Sequence, residues 1–391
     1  MQPVYIVSSA RTPIGSFNGA LSSLTATQLG SEAIKAVVKK AKINPELITE
    51  VFMGNVLSAG LGQSPARQAA LFAGLSESVV CTTVNKVCAS GMKAVMLGAQ
   101  SIMLGINDLV IAGGMESMSN TPYYLDKART GYKLGHGQIF DGILKDGLWD
   151  VYNNIHMGTA AEIIAKEMHI TREMQDAHAI QSYQRSAKAW ENNLFKNEVI
   201  PVKSTKGKEI IEVTQDEEFK IVNFDKIPNL KPVFENEGTI TAANASTIND
   251  GAGALLLASE MAVQKYKLEP LAIIIGFADA AQEPKYYTTS PALAIPKAIE
   301  YAGIKQQNVD FFEINEAFSV VALANIIKLN IENSRCNIYG GAVSLGHPLG
   351  ASGVRIISTL MSVLSNNASK IGVAGICNGG GGASAIVIKM L

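Results

Sequence analysis

The sequence predicts an α/β protein, and two patterns along the chain support this prediction. Apolar, β-branched runs with the length of buried strands occur at 3–7, 108–114, 271–279, 310–315, 371–377 and 384–389. Stretches with helical periodicity alternate with these runs, at 26–41, 89–104, 316–329 and 350–365. The chain has 391 residues, of which 47% are hydrophobic, so it can bury a large core and divides into two or more units.

The middle of the chain departs from this α/β pattern. Most of the aromatic and charged residues lie there, and a long amphipathic helix is predicted to follow Thr171 as its N-cap, with Glu173 in the first turn. The sequence after that helix is polar and rich in turn residues, which predicts an excursion over the surface. We therefore expect a first half at 1–268, interrupted by an inserted domain at about 120–241, and a second half at 269–391.

Composition narrows the class of function. The formal net charge is −1 and the basic residues are scattered, which argues against nucleic acid or an anionic membrane as partners and favours small ligands. The cysteines form no disulfide framework and no CxxC pair, as expected for a reducing compartment; they are Cys81, Cys88, Cys336 and Cys377. Because the first residues enter a strand pattern directly, we expect a cytoplasmic location, with the mitochondrial matrix as the alternative if a presequence was removed.

Cys88 stands at the head of an almost wholly apolar segment, "VCASGMKAVMLG". Unpaired cysteines are most often small buried packing residues, which is the first interpretation. The second is chemical, because the start of a helix offers free N–H groups and a positive dipole end that could stabilise a thiolate. The small residues Ala89, Ser90 and Gly91 would leave room for a substrate. Both interpretations remain open for this residue taken alone.

Three further motifs carry residues suited to catalysis. His347 precedes Pro348 among several glycines, which suits an imidazole presented to a pocket as a general base. Cys377 ends an apolar strand and is followed by four glycines, which predicts a turn close to a ligand but lacks the nucleotide-binding glycine patterns. Asn315 and Glu316 lie at a strand-to-helix junction, where either a site residue or a plain helix cap is expected. The cysteines, histidine and asparagine of these motifs are not spaced closely enough in sequence to form the ligand pairs typical of metal sites.

Taken together, these motifs resemble the thiolases, and within them the short-chain acetoacetyl-CoA thiolases. The segments "NKVCASGMKA", "GGMESMSN", "NEAF", "GGAVSLGHPLGASG" and "CNGGGGASA" follow the family's order over essentially the whole chain. The resemblance implies a thiolase fold of the α/β class, in which two similar halves form five layers, α/β/α/β/α, with an inserted loop domain. It also implies a homotetramer built as a dimer of dimers.

The resemblance further implies an acyltransferase that joins two acetyl-CoA into acetoacetyl-CoA and CoA by a reversible Claisen condensation. Cys88 would carry the acetyl group, His347 would activate it, and Cys377 would be the second base. His347 and a water held by Asn315 would stabilise the enolate oxygen. The N–H groups of Cys88 and Gly379 would stabilise the tetrahedral intermediate.

Substrate and cation contacts are also implied by the resemblance. The CoA-binding positions of the family correspond to His156, Met157, Tyr183, Lys226 and Ser246, whereas an arginine that relatives often carry near the adenine is replaced by Ile221. The closest branch is the potassium-activated, mitochondrial type, which also accepts 2-methylacetoacetyl-CoA. On that match the potassium ligands would be Tyr183 and backbone oxygens of Ala242, Ala243, Ala245 and Val343. No covalently bound cofactor is expected.

Three alternatives accompany this interpretation. A longer-chain 3-ketoacyl-CoA thiolase would share the catalytic residues, but short-chain members carry the pair of His156 and Met157. A β-ketoacyl synthase usually combines its cysteine with two histidines, or with histidine and asparagine, whereas this chain has a second cysteine, Cys377. A non-catalytic acyl-CoA-binding protein of the same fold would have lost part of the catalytic set.

Overall fold

The computed structural model describes residues 2–391. In chain order, its strands are β1 (Val4–Arg11), β2 (Gly15–Ser16), β3 (Glu50–Gly54), β4 (Val80–Val84), β5 (Leu109–Ser117), β6 (Tyr123–Tyr124), β7 (Phe140–Asp141), β8 (Trp149–Asp150), β9 (Ile155–His156), β10 (Val202–Lys206), β11 (Glu209–Val213), β12 (Asn249–Ser259), β13 (Ala272–Ala281), β14 (Phe311–Ile314), β15 (Ile371–Asn378) and β16 (Gly382–Met390). The helices are α1 (Ala26–Ala41), α2 (Pro65–Phe72), α3 (Ser90–Met103), α4 (Met157–Glu167), α5 (Arg172–Glu191), α6 (Glu260–Tyr266), α7 (Pro291–Tyr301), α8 (Ser319–Leu329), α9 (Ala342–Leu345) and α10 (Leu349–Asn366). Over the same residues, no helix has both the length and the apolar character needed to cross a membrane.

The two halves of the chain repeat one pattern of strand pairing. In the first half β3 is parallel to β5, and antiparallel pairs β5–β12 and β12–β1 follow. In the second half β14 is parallel to β15, and antiparallel pairs β15–β16 and β16–β13 follow. A short antiparallel ladder between β1 and β13, over Val4–Ile6 and Ala272–Ile274, joins the halves edge to edge. The predicted pair of similar halves is confirmed.

Helices α3 and α10 lie between the two halves and form the central layer. Met92 and Val95 of α3 share one core with Val354, Ile357 and Leu360 of α10 and with strands of both halves. Helix α10 is buried continuously from its first turn to Leu364. The outer faces are covered by α1 and α2 on the first half and by α7 on the second. This arrangement confirms the predicted five layers.

The excursion between β5 and β12 consists of α4, α5 and small two-stranded sheets. As predicted, α5 begins after Thr171, whose hydroxyl accepts the N–H of Met174. The excursion is tied to the core through Arg11 of β1, which donates to Glu198 and to Asp216 over 2.7 Å each. All three side chains are at most 1% exposed, so each buried charge is compensated by the others.

The first turn of α10 is packed against backbone rather than side chains. The carbonyl oxygen of Gly350 lies so close to Gly54, Gly91 and Gly114 that a Cβ on any of them would stand within van der Waals distance of it or overlap it. These glycines belong to β3, α3 and β5 respectively. Their lack of side chains lets the first turns of α3 and α10 meet, which brings the segments that precede both helices together.

We expect Gly114→Ala to lower the free energy of unfolding by about 3 kcal/mol, because the added methyl would overlap backbone atoms of Gly350 and Ala351 that cannot rotate away. Gly98→Ala in α3 is the matched control, since its methyl would meet only side-chain atoms, at 3.1–3.2 Å. Urea unfolding of both variants measures the difference. Equal stability of the two would show that the close approach at Gly350 is not a packing constraint.

Candidate active site

A cavity of about 230 Å³ opens between the excursion and the first turns of α3 and α10. Its walls are largely apolar and include Met118, Leu148, Phe234, Phe318 and Leu349. Seven of the residues that sequence analysis singled out line it, namely Cys88, His156, Met157, Ala245, Ser246, His347 and Gly379. The fold therefore brings together residues that are as much as 291 positions apart in sequence, Cys88 and Gly379.

Cys88 lies two residues before α3, in a tightly held turn. Val87 has a positive φ of 47°, and the Ser90 hydroxyl both accepts the Lys86 N–H and donates to the Val87 carbonyl, which fixes the backbone around the thiol. Burial raises the pKa of Cys88 to about 11, although the N–H groups of Gly379 and of Cys88 itself act in the opposite direction. Desolvation outweighs these donors in the pKa of Cys88, so the thiol is held neutral, and a thiolate stabilised by the helix start stays a prediction.

His347 is held as a neutral imidazole. The backbone N–H of His347 donates to Asn249 Oδ1 over 2.8 Å, and the ring Nδ1 lies 2.6 Å from the Ser352 hydroxyl. That hydroxyl donates to the Pro348 carbonyl, so we infer that Nδ1 carries the proton and donates to Ser352. Nε2 is buried and has no hydrogen-bond partner among residues 2–391, which leaves its lone pair available in the cavity. Burial, with the positive charge of Arg355, lowers the pKa of His347 to about 3.

Cys377 and Asn315 lie directly behind the cavity wall rather than on it. Cys377 is fully buried near the end of β15, packed in one cluster with Met157, Tyr287 and Phe318. Burial, and after it the nearby Cys88, raise the pKa of the Cys377 thiol well above its ordinary value. Asn315 follows β14, and its amide nitrogen lies 3.5 Å from His347 Nδ1.

Gly379 begins the turn between β15 and β16 and lines the cavity together with Cys88, where its N–H acts to lower the pKa of the thiol. A Cβ at Gly379 would meet Val87 at 3.6 Å and Met157 at 3.8 Å, so a side chain would extend into the space beside the thiol. The next two residues, Gly380 and Gly381, both have φ near +84°, which other residues adopt only with strain. This geometry agrees with the prediction that the glycine turn passes close to a ligand pocket.

The opposite wall is built by the start of α4. His156 is the N-cap of that helix, where its Nδ1 accepts the Gly158 N–H over 2.9 Å and its ring stacks on Phe234. Burial lowers the pKa of His156, which favours the neutral ring. Met157 follows, and its carbonyl accepts the hydroxyl of the buried Tyr287 over 3.0 Å. Ser246 donates both its N–H and its hydroxyl to the Ala317 carbonyl at the rim.

The other predicted binding residues lie outside the cavity. Lys226 is exposed on the short helical turn Phe224–Asn229, and Ile221 is exposed nearby. Tyr183 of α5 packs with Val343, and burial, together with the charges of Glu218 and Glu316, raises its pKa. Within the described residues, no N–H or side-chain donor reaches the carbonyl oxygens of Ala242, Ala243 and Ala245. These free oxygens and the two acidic neighbours suit a monovalent cation.

Sequence analysis missed three residues that contact the cavity or the residues around it. The carboxylate of Glu116 accepts N–H groups of Val56, Leu57 and Gly350 and so ties β5 to the first turn of α10. Tyr287 lines the cavity beside both cysteines, and Arg355 donates to Asn315. The only signal available was the position of Glu116 within "GGMESMSN" and of Arg355 two residues after "GGAVSLGHPLGASG".

The comparison with known families agrees with this geometry. Residues 4–261 match the N-terminal domain of thiolases and residues 268–390 match the C-terminal domain, so the chain belongs to the thiolase family. The predicted family, fold and acyltransferase class are thereby confirmed. A β-ketoacyl synthase is not supported.

Individual relatives narrow the class of acyltransferase that this chain resembles. The chain is 56% identical to the cytosolic acetyl-CoA acetyltransferase of Gibberella zeae, covering 100% of this chain and 99% of that protein. It is 54% identical to the mitochondrial acetyl-CoA acetyltransferase of Bos taurus, covering 100% of this chain and 92% of that protein. A crystal structure of the Acat5 thiolase from Ascaris suum in complex with coenzyme A superposes with a TM-score of 0.95 at 46% identity, over 100% of both chains.

The raised pKa of Cys88 predicts slow alkylation of the empty site at neutral pH. We expect the rate of Cys88 modification by iodoacetamide to rise about tenfold per pH unit from pH 7 to 10, because the thiolate fraction rises by that factor below a pKa of about 11. Mass spectrometry of the Cys88 peptide in a Cys377→Ala background measures this rate. A rate independent of pH over that range would show that His347 already holds the proton as an ion pair.

Proposed function

We propose that this protein is an acetyl-CoA C-acetyltransferase, which condenses two acetyl-CoA to acetoacetyl-CoA and CoA and cleaves acetoacetyl-CoA in reverse. The observation that carries the proposal is the arrangement around Cys88, which shares the wall of one small apolar cavity with Gly379 and with His347, whose Nε2 is free. The names of the full-length relatives support the same activity.

In the first half-reaction His347 Nε2 takes the proton of Cys88, and the sulfur attacks the thioester carbon of acetyl-CoA. The bond from carbon to the CoA sulfur breaks, and the CoA thiolate takes the proton of Cys377. The acetyl group then stays on Cys88. His347 can accept this proton because its Nε2 has no hydrogen-bond partner and burial, which lowers its pKa, keeps the ring neutral.

In the second half-reaction the Cys377 thiolate removes a proton from the methyl group of another acetyl-CoA. The carbanion attacks the acetyl carbon on Cys88, the Cys88 sulfur leaves, and His347 returns its proton to that sulfur. Because burial raises the pKa of Cys377, its thiolate is a strong base, as abstraction from carbon requires. Every proton taken up in one half-reaction is thus returned in the other.

Two sets of donors stabilise the oxyanions in this scheme. The N–H groups of Cys88 and Gly379 both act to lower the pKa of the Cys88 thiol, and they would hold the tetrahedral oxygen. His347, through its Nε2, and a water bound by the Asn315 amide would hold the enolate oxygen. The Asn315 amide nitrogen lies 3.5 Å from the other ring nitrogen, Nδ1, so the two side chains are neighbours. His156, Met157 and Ser246 on the cavity wall would contact the pantetheine arm, with Lys226 and Tyr183 further out along CoA.

Substrate size favours the short-chain activity over the longer-chain alternative. A cavity of about 230 Å³ whose wall includes Met157 and Phe318 leaves room for a short acyl group beside the pantetheine arm. Acceptance of 2-methylacetoacetyl-CoA stays a prediction. It is supported by the size of the change, because one added methyl group alters the acyl volume little. The division at residue 268, with the excursion at about 120–241 as a loop domain, is part of this proposal.

The assembly and compartment are also proposals. A homotetramer is supported by β4, an edge strand whose Val80 is 59% exposed, and by exposed apolar side chains in the excursion such as Tyr123, Leu134 and Tyr152. The relatives include a cytosolic and a mitochondrial enzyme. A cytoplasmic location therefore stays a prediction.

The two cysteines should separate in a labelling experiment. We expect Cys88→Ala to retain no acetyl group from acetyl-CoA, because the acyl carrier is lost. Cys377→Ala should retain one acetyl group but condense at least ~10³-fold more slowly, because the methyl proton has no acceptor. Cys336→Ala, which changes a buried cysteine in a separate core cluster, is the control and should keep both properties. An active Cys377→Ala enzyme contradicts the assignment.

Potassium would be held by Tyr183 and by carbonyl oxygens of Ala242, Ala243, Ala245 and Val343, and when bound it would order the loop that carries Ser246.

We expect potassium, but not sodium, to raise the thermal unfolding temperature of the substrate-free protein and to lower the KM for acetyl-CoA. Tyr183→Phe should reduce both effects. Tyr339→Phe, which changes a buried tyrosine outside the proposed potassium site, should leave both effects unchanged. Equal responses to sodium and potassium would remove this site from the proposal.

A further inference from the structure

The inference concerns a buried ion pair behind the site, and it rests on the function proposed above. Arg355, on the second turn of α10, is 2% exposed, and Glu313, on β14, is 1% exposed. The guanidinium Nη1 lies 3.7 Å from the Glu313 carboxylate. Arg355 Nη2 donates to Asn315 Oδ1 over 3.2 Å. Arginine thereby connects a buried carboxylate to the amide that faces His347.

The pair is poorly satisfied for a structural ion pair. Within the described residues, neither oxygen of Glu313 and neither Nε nor Nη1 of Arg355 has a hydrogen-bond partner. The buried Arg11, by contrast, donates to Glu198 and Asp216 over 2.7–3.0 Å. A buried pair that is not closely hydrogen-bonded contributes little to stability, and an apolar replacement often serves as well. Its single short contact on the site side is the one with Asn315.

That contact decides which end of the Asn315 amide faces the site. An amide has a carbonyl oxygen at one end and an NH₂ group at the other, and a guanidinium only donates. Arg355 therefore fixes Oδ1 toward itself and Nδ2 toward His347. Because His347 Nδ1 is itself a donor, to Ser352, the Asn315 NH₂ group is not used there and remains free to donate to a water. A reversed amide would present its oxygen instead and repel an oxyanion.

We propose that Arg355 is a positioning residue for the enolate-stabilising side of the site, which it serves by fixing the orientation of the Asn315 amide. Its positive charge also acts in the direction that favours a developing enolate. The tetrahedral intermediate depends instead on the N–H groups of Cys88 and Gly379, which Arg355 does not contact. Loss of Arg355 therefore impairs the half-reaction that passes through the enolate more than the acetylation of Cys88. A general loss of packing would impair both half-reactions alike.

Two exchange reactions separate the half-reactions. Deuterium exchange into the methyl group of acetyl-CoA in D₂O requires the enolate but no new carbon–carbon bond. Exchange of isotopically labelled CoA into acetyl-CoA requires acetylation of Cys88 and its reversal but no enolate. The variants are the double substitution Glu313→Gln with Arg355→Met, which removes the buried carboxyl and guanidinium groups together, and Arg355→Lys, which keeps the positive charge but not the contact with Asn315.

We expect methyl exchange to fall roughly tenfold in both variants, less than the ~10²-fold lost when a direct oxyanion donor is removed, because Arg355 acts through Asn315. Labelled-CoA exchange should stay within about threefold of the unmodified protein. Arg11→Lys, at the well-satisfied buried arginine, is the matched control and should change both exchanges by one common factor. Thermal unfolding of each variant verifies folding, and Arg355→Lys carries the test if the double variant does not fold.

Equal losses in both exchanges, or unchanged methyl exchange, would overturn the positioning role and leave the proposed function intact. If the unmodified protein catalyses neither exchange, the proposed function fails and this inference fails with it. An Arg355→Lys variant with full methyl exchange would show that charge, rather than the contact with Asn315, is what matters, and would overturn the proposal as stated.

Discussion

The structure depends on the meeting of two helix starts at the backbone of Gly350. Glycines of β3, α3 and β5 approach its carbonyl oxygen, while the carboxylate of Glu116 accepts its N–H over 2.8 Å. At this point strands of the first half and both helices of the central layer come into direct backbone contact. Cys88, the proposed nucleophile, lies two residues before α3, and His347, the proposed base, lies two residues before α10, so their relative position is set by this contact. A precise site is thereby supported by a rigid core rather than by loops.

Burial sets the protonation states of the site. Desolvation raises the pKa of both cysteines and lowers that of both cavity histidines, so these groups are neutral. In the proposed mechanism, charge appears only when a thioester enters and a proton moves. The N–H groups of Gly379 and Cys88, which already act to lower the thiol pKa, would stabilise that charge without reorganisation, which is the condition under which such donors are most effective. The site thus combines weakly ionised reactants with fixed donors.

Much of this could be predicted from the sequence, because the most informative residues carry local signals. Cys88, His347 and Gly379 lie in glycine-rich or helix-start contexts, and the structure brings them into one cavity. Glu116 and Arg355 could not be assigned in the same way. Glu116 binds N–H groups 60 and 234 positions away, and Arg355 binds an amide 40 positions away, so their roles exist only in three dimensions. Helix α8 begins at Ser319, three residues later than predicted, because Phe318 is extended and the Ser319 N–H donates to Asn244.

The repeated pairing pattern has a consequence for the chemistry. Helix α3 leads into β5 and α10 leads into β15, and these strands hold equivalent places in the two halves. Cys88 and His347 therefore occupy corresponding positions, as do Asn55 after β3 and Asn315 after β14. An approximate internal twofold relation passes through the site, yet a thiol stands on one side of it and an imidazole on the other. In the proposed mechanism these two copies of one structural element supply a nucleophile and its base, so that a reaction needing two unlike groups takes place at a position of near symmetry.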